Sequence, residues 1–286
     1  VGYLLGTGPD ADAFAAALAP LELWWTVLAL AVIFGFAPKL ADSAAPGAFT
    51  FRQIFDPVAR FSLLSSVFVL VFAQPIVLLF APGMSAESAE SSALLLRSMA
   101  PALAVVGRTL VYSALLLSQR RFLLPSLHQA VVNVATIVGA LALHGRFGVF
   151  GFAVGYVVGA ALHLALCRFV TRGWRAASAS RPADPPVRLR TLLEGPAPIL
   201  GQALATELNT AVSRAYASTF GSGMTAAFDY GFRLFRVPLA LLVVPLSQSL
   251  LPELSALEAT PERRRVAGRA MRRAAWVTLA AGAALI

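Results

Sequence analysis

The sequence contains little charge and almost no cysteine. Charged residues make up 13% of its 286 residues, about half the share found in soluble domains, whereas 58% are hydrophobic and the mean hydropathy is +0.75. This composition excludes an ordinary soluble protein and indicates a chain that is solvated by lipid. The single cysteine, Cys167, excludes an intramolecular disulfide, and without a Cys/His cluster a structural zinc site is unsupported.

Motifs of catalysis and of nucleotide binding are also missing. The sequence has no G-x-S-x-G elbow, no H-E-x-x-H pair and no Walker loop, and no Ser/His/Asp grouping can be assembled. A net charge of +9 could suggest nucleic acid, but the basic residues form no patch interleaved with aromatics. The sequence therefore predicts neither an enzyme nor a nucleic-acid binder, and it indicates no cofactor.

Long apolar runs are the main feature that is present. About 20 apolar residues in a helix cross a bilayer, because only a helix satisfies its own backbone hydrogen bonds in lipid. Such runs lie near residues 11–36, 56–81, 91–118, 123–143, 147–170, 191–219 and 225–256. The chain begins without methionine and ends inside another apolar run, so we expect a piece of a longer protein.

Basic residues concentrate in alternate connections between these runs. The opposite connections contain Arg146 alone. Since short cytoplasmic loops retain Lys and Arg, we predict that the basic-rich connections are cytoplasmic. Their basic residues are Lys39, Arg52, Arg60, Arg120, Arg121, Arg168, Arg172, Arg175, Arg181, Arg188, Arg190, Arg263, Arg264, Arg265, Arg269, Arg272 and Arg273.

The longest polar connection divides the chain. Residues 172–190 are rich in arginine, serine and proline and are predicted to be a cytoplasmic linker. Residues 1–171 would form a first transmembrane lobe and residues 191–286 the start of a second. Pro20-Leu21 recurs as Pro238-Leu239 in a run of the same direction, which is typical of a duplicated bundle with its site between the halves. The predicted fold is therefore an all-α, polytopic transmembrane bundle of two lobes, with the second incomplete.

Charged residues inside the apolar runs are the candidate site residues. At the bilayer centre each costs about 2.5–3.5 kcal/mol on insertion scales, so they normally face a cavity or a partner. Asp229, Arg233 and Arg236 recur at i, i+4 and i+7 and so share one helical face. Two arginines beside one acid favour a cationic cavity surface, although Asp229 could simply neutralise Arg233.

Other charges within the runs allow several interpretations. Arg97 and Arg108 are three helical turns apart and share a face; Arg97 could instead snorkel to the outer headgroups, whereas Arg108 lies deeper. Glu207 and Arg214 also share a face and could form a pair within or between helices. Glu22 could bind a proton, a cation or a partner arginine.

Several short segments, taken in order, match one family. They are Asp12-Ala13-Phe14, Pro20, Pro38, Ala81-Pro82-Gly83, Arg97-Ser98-Met99-Ala100-Pro101, Arg121-Phe122, Gly201, Asn209, Tyr230-Gly231-Phe232-Arg233-Leu234 and Leu251-Pro252-Glu253-Leu254-Ser255. The chain resembles the MurJ/MviN family of lipid II flippases, within the multidrug/oligosaccharidyl-lipid/polysaccharide exporter superfamily. The resemblance covers essentially the whole chain but only the first part of the family's helices.

The resemblance implies a multi-pass protein of the bacterial inner membrane with a cleft between two lobes. Arginines in the cleft would meet the pyrophosphate of a polyprenyl-linked saccharide, with Na⁺ or H⁺ as a possible coupling ion. The substrate-binding residues would be Arg233, Arg236, Arg108, Arg97 and Asp12; charge pairing or coupling would fall to Asp229, Glu22, Glu207 and Arg214.

Some positions depart from the family pattern and keep alternatives open. Trp24 and Trp25 stand where the family usually has two arginines, Phe232 replaces an acid and Ser213 an aspartate linked to sodium. A cation-coupled multidrug antiporter of the same superfamily would instead need acids facing the cavity. A scaffold for envelope assembly that does not transport would have lost its coupling residues.

Overall fold

The computed structural model describes residues 6–41, 50–172 and 197–238 and the single positions 268, 272 and 276, with side chains described for 6–33, 50–172 and 200–235. Regular structure in these ranges is helical throughout. The helices are α1 (Pro9–Ala41), α2 (Phe51–Phe80), α3 (Ala86–Met99), α4 (Pro101–Ser118), α5 (Leu123–Ser126), α6 (His128–Phe147), α7 (Phe150–Val170), α8 (Ala197–Ser218) and α9 (Met224–Pro238).

Five stretches of the described residues are long and apolar enough to cross a membrane. They are Pro9–Ile33, Phe51–Phe80, Pro101–Ser118, His128–Phe147 and Phe150–Val170. The run predicted at 91–118 is divided into α3 and α4, which meet at Ala100. Pro101 explains the division, since it lacks an N–H group and is well suited to the first position of a helix.

The last two predicted runs are only partly described. The run at 191–219 contains α8 and the run at 225–256 contains α9, neither of which is among the five apolar stretches. Residues 239–256 of the last run lie outside the described residues.

The local sequence determines where α2 starts and where it bends. Thr50 accepts a hydrogen bond from the backbone of Gln53, whose side chain accepts one from Thr50 in return, forming a capping box. Phe72 has non-helical dihedral angles (φ −101°, ψ 22°) three residues before Pro75. A proline inside a helix removes one hydrogen bond and crowds the preceding turn, so α2 bends there.

The core lies where α1, α3 and α4 meet. Alanines on the first turns of α1, including Ala13, Ala16 and Ala17, are at most 1% exposed. Their small side chains let the neighbouring helices approach closely. In contrast, α2, α6 and α7 expose large side chains such as Leu79, Leu141 and Val158. Because lipid solvates such side chains, this exposure is expected of helices at the rim of a membrane bundle.

Helices α6 and α7 pack backbone to backbone through glycine. A Cβ atom added at Gly155 would lie 2.5 Å from the Ala135 carbonyl oxygen and 2.7 Å from the Thr136 Cα. One added at Gly159 would lie 2.8 Å from the Ala135 Cβ. Small residues at such spacing are the usual means of close helix packing in lipid.

The chain forms two compact units, residues 1–226 and 227–286. The first contains α1 to α8 and the start of α9, and the second contains the rest of α9. The predicted linker at 172–190 lies outside the described residues except for Arg172. The division into lobes at that linker therefore stays a prediction.

Candidate functional site

An ion pair joins the first helix to the eighth within the first unit. Arg214 Nη2 on α8 lies 3.5 Å from Glu22 Oε2 on α1. The Arg214 side chain is 5% exposed and that of Glu22 is 41% exposed. A carboxylate that is exposed within a membrane span faces water or a ligand rather than lipid, because insertion of a charge into hydrocarbon is unfavourable.

Glu22 lies well inside the membrane-spanning part of α1. It is about 15 Å further along the helix than Asp12, at 1.5 Å per residue. Of the interpretations that the sequence offered for Glu22, the structure places a partner arginine beside it. The pairing of Glu207 with Arg214, which the sequence also suggests, stays a prediction.

Asp12 fixes the N-terminus of α9. Its carboxylate is 4% exposed and accepts hydrogen bonds from the backbone N–H groups of Gly223, at 2.5 Å, and Ala226, at 2.7 Å. The first N–H groups of a helix have no partner within the helix, and a negative charge is favoured at that end of the helix dipole. Asp12 therefore serves as an N-cap that is supplied from another helix.

The turn before α9 requires glycine. Gly223 has φ +90°, a left-handed conformation that is strained for residues with a side chain, and a Cβ there would collide with the Thr7 carbonyl. A second contact lies beside this turn, where the Gly83 N–H donates to Ser218 Oγ at 2.9 Å. The start of α1, the α2–α3 turn and the α8–α9 turn thus meet at one end of the bundle.

A polar cavity of about 530 Å³ lies among these three segments. The carboxylates of Asp10, Asp12 and Glu87 line it together with hydroxyl groups, among them Ser85, Ser218 and Ser222. By the distribution of basic residues, this end is predicted to face away from the cytoplasm. The sequence names Asp12 as a candidate through the family resemblance, and its substrate-binding role stays a prediction. The cavity was not predicted, since its segments are far apart in the chain.

The ion pair of the second unit lies along α9. Arg233 Nε donates to Asp229 Oδ2 at 3.0 Å, one helical turn away. The Asp229 side chain is 6% exposed and the Arg233 side chain is 49% exposed. The guanidinium is thus half exposed beside a nearly buried carboxylate. Arg236 belongs to the same helix, but its side chain lies outside the described ones.

Arg97 and Arg108 contact backbone carbonyl groups. Arg108 Nη1 donates to the Ala104 carbonyl of its own helix at 2.6 Å. Arg97 Nε donates at 3.4 Å to the Leu70 carbonyl, which lies two residues before the distorted Phe72 of α2. The two arginines lie on consecutive helices, α3 and α4, rather than on the single helix that the sequence predicted.

Trp24 and Trp25, the two positions of α1 that depart from the family pattern, pack by their ring faces. Trp24 stacks on Phe61 with ring centroids 6.4 Å apart, and Trp25 stacks on His128 with centroids 5.6 Å apart. Both indole Nε1 atoms are buried without a hydrogen-bond partner among the described atoms. Packed aromatic rings thus occupy both positions in α1, and the nearby charged residue of this helix, Glu22, is acidic.

Comparison with known proteins agrees with this architecture. The family described as Lipid II flippase MurJ matches residues 1–285. A probable lipid II flippase MurJ of Rhizobium tropici is 29% identical over 271 residues, which is 88% of this chain and 50% of that protein. The chain thus spans about half the length of this relative.

Two solved structures have a similar fold. The first, a lipid II flippase MurJ in an inward closed conformation, gives a TM-score of 0.73 at 19% identity, over 88% of this chain and 54% of that one. The second is an inward-facing multidrug resistance transporter of the MATE family and the MOP superfamily. It gives a TM-score of 0.74 at 17% identity, over 98% of this chain and 67% of that one. The predicted all-α transporter fold is confirmed, and the chain belongs to the lipid II flippase MurJ family.

Proposed function

We propose that this protein moves a polyprenyl-pyrophosphate-linked precursor of the cell envelope across the bacterial inner membrane. The family membership supports a transporter of a lipid-linked substrate rather than a catalyst. The partners would be the lipid-linked saccharide and the surrounding membrane lipids. The charged groups of the helices support the same proposal, because they lie within spans that otherwise consist of apolar residues.

The exposure of the Arg233 side chain is the observation that carries this proposal. This side chain is half exposed, and its ion pair with nearly buried Asp229 orients the guanidinium. A guanidinium keeps its charge at physiological pH, and its planar set of donors matches the oxygens of a phosphate. We therefore propose that Arg233 binds the pyrophosphate, with Arg236, Arg108 and Arg97 as further cationic groups along its route.

The contacts of Asp12 and Glu22 would close the transporter on its outer side. Asp12 holds the start of α9, and Glu22 holds Arg214 on α8. In a carrier that opens alternately to the two sides, such contacts must break when the outer side opens. A substrate pyrophosphate would compete with Glu22 for Arg214, and Glu207 on α8 adds a further acid to this helix.

The arrangement at Glu22 favours an anionic substrate over a cationic drug. An antiporter of cationic drugs needs carboxylates that are available to its substrate. The Glu22 side chain is 41% exposed, but its Oε2 atom lies 3.5 Å from a guanidinium of the protein itself, which offsets its attraction for a cation. This contact supports the lipid-linked pyrophosphate as the substrate class.

A flipping assay on the full-length protein in proteoliposomes tests the proposal. A fluorescent polyprenyl-pyrophosphate saccharide would be followed from one leaflet to the other. The loss of a charged hydrogen bond of about 1.5–3 kcal/mol in Arg233→Ala should weaken binding about 10- to 100-fold. Arg146→Ala, which removes an exposed arginine from the last turn of α6, is the matched control. Equal flipping by Arg233→Ala and Arg146→Ala would contradict the role of Arg233.

A further inference from the structure

Two histidines meet inside the first unit, away from the charged groups described above. His128 is the first residue of α6 and His163 lies in α7; their Nδ1 atoms are 3.1 Å apart. The ring centroids are 4.8 Å apart with the ring planes at 68°. His163 is fully buried, whereas His128 is partly exposed. A short contact between two ring nitrogens requires one hydrogen between them.

The surrounding acceptor determines which nitrogen carries that hydrogen. His163 Nε2 lies 2.9 Å from the Leu124 carbonyl oxygen, which can only accept, so Nε2 carries a hydrogen. In a neutral ring, Nδ1 of His163 is then an acceptor, and Nδ1 of His128 donates to it. Nε2 of His128 is left with a lone pair on the partly exposed ring.

This arrangement has room for one additional proton. A proton added to Nε2 of His128 breaks none of the hydrogen bonds and leaves both rings with their partners. A second proton would have to go to Nδ1 of His163, where it would face the N–H of His128 across 3.1 Å. Two positive charges at that distance repel each other strongly in a medium of low dielectric constant. The pair can therefore hold one proton and not two.

Trp25 covers the ring that would accept the proton. The Trp25 and His128 ring planes are inclined by 5°, with centroids 5.6 Å apart. A cation within about 6 Å of an indole face is stabilised by the ring electrons, so this stacking favours the protonated imidazole. Trp25 lies three residues after Glu22 on α1, the helix that is tied to α8 through Arg214.

The contacts found for the two rings in the described part of the chain are with neutral groups. Cys167 Sγ on α7 lies 3.9 Å from His163 Nε2. Tyr112 on α4 packs against Cys167 in the same cluster, and α5 contributes the Leu124 carbonyl. Among the contacts found for the two rings, none involves a carboxylate or a guanidinium. The described residues also contain no cluster suited to a metal ion.

We propose that His128 and His163 form a one-proton binding site through which proton movement is coupled to transport. The proposal rests on the proposed function and names H⁺ as the coupling ion. The pair lies near the ends of α6 and α7 that are predicted to face the cytoplasm. Protonation of His128 acts on Trp25 and so on α1, which also carries Glu22 and Asp12.

The fluorescence of Trp25 reports proton binding without any transport. A protonated imidazole quenches a stacked indole, so emission of the full-length protein should fall as the pH is lowered and His128 takes up its proton. The pH-dependent part should disappear in Trp25→Phe and in His128→Gln, since glutamine retains a donor for His163 but does not titrate. His144→Gln, at the other end of α6, should behave as the wild type. Absence of the quench in the wild type, or its persistence in His128→Gln, would overturn the proton site.

Flipping in proteoliposomes with and without a pH gradient tests the coupling. The wild type should be accelerated by a gradient of one sign and slowed by the opposite one, and His128→Gln should respond to neither. A response of His128→Gln equal to that of the wild type would refute coupling through this pair. If the wild type moved no lipid-linked pyrophosphate at all, the proposed function would fail, whereas the fluorescence titration would still decide the proton site.

Discussion

Glu22 Oε2 on α1 lies 3.5 Å from Arg214 Nη2 on α8, across 192 residues of sequence. We expect Glu22→Gln to destabilise the protein, because a neutral amide replaces the carboxylate beside a nearly buried guanidinium. The loss should be about 1–3 kcal/mol, below the ~3–5 kcal/mol of a fully buried pair, since the Glu22 side chain is 41% exposed.

Thermal unfolding of the full-length protein in detergent would measure this loss. The double variant Glu22→Gln, Arg214→Met should be more stable than Glu22→Gln alone, because no charge then stays buried. Additive effects of the two substitutions would show that the pair contributes no coupling energy.

The capping of α9 by Asp12 leads to a second prediction. Asp12→Ala removes a carboxylate that accepts from the backbone of both Gly223 and Ala226, so the turn before α9 should loosen. The expected destabilisation is about 1–2 kcal/mol, as for other helix caps. Thr225 is 1% exposed. In a Cys167→Ala background, a cysteine introduced at position 225 should become accessible to an impermeant maleimide when Asp12 is replaced.

Asp10→Ala is the matched control for this experiment. Asp10 lies two residues earlier on the same turn of α1, lines the same cavity and is exposed. It should change neither the unfolding temperature nor the labelling at position 225. If Asp10→Ala and Asp12→Ala increased labelling equally, a general loss of negative charge would explain the effect better than the cap.

The glycine contact between α6 and α7 leads to a third prediction. A methyl group at Gly155 would overlap the backbone at Ala135 and Thr136, so Gly155→Ala should separate the helices and cost about 1–3 kcal/mol. Gly145→Ala is the control, because a Cβ there meets nothing within 4 Å. Thermal unfolding of both variants would compare them, and equal midpoints would contradict the packing role of Gly155.

Local patterns in the sequence were sufficient to predict the helices and one of the ion pairs. Apolar length determines which segments cross the bilayer, and the i, i+4 spacing of Asp229 and Arg233 places both on one face. The break at Pro101 was missed, since hydropathy continues across it while the backbone hydrogen bonding does not.

Such local patterns could not predict which residues far apart in the chain are in contact. The hydrogen bond of Asp12 to Gly223 spans 211 residues and that of His128 to His163 spans 35. Which side chains meet depends on how the helices pack, and one sequence contains no periodic signal for that. His128 and His163 could be read individually as hydrogen-bonded packing residues, and only the packing of α6 against α7 shows that they form a pair.

The orientation of the chain leads to a fourth prediction, made from the charge distribution alone. Cysteines introduced at Ser178 and Thr260, within the basic-rich segments 172–190 and 256–269, should react with a maleimide only after the cells are permeabilised. A cysteine at Ser222, in the exposed α8–α9 turn, should react in intact cells. Labelling of the first two positions in intact cells would reverse the assigned orientation.

The last prediction separates the two roles that are possible for Arg233. If Arg233 only neutralises nearly buried Asp229, removing both charges together should restore flipping, since no unpaired charge is then left within the unit. If it binds pyrophosphate, Asp229→Ala should not rescue Arg233→Ala. Arg233→Lys should also flip poorly, because an ammonium keeps the charge but lacks the planar donors that match two phosphate oxygens. Membrane insertion, followed by protein level, should be similar in all three variants. Flipping by the double variant at the wild-type rate would leave Arg233 with a structural role alone.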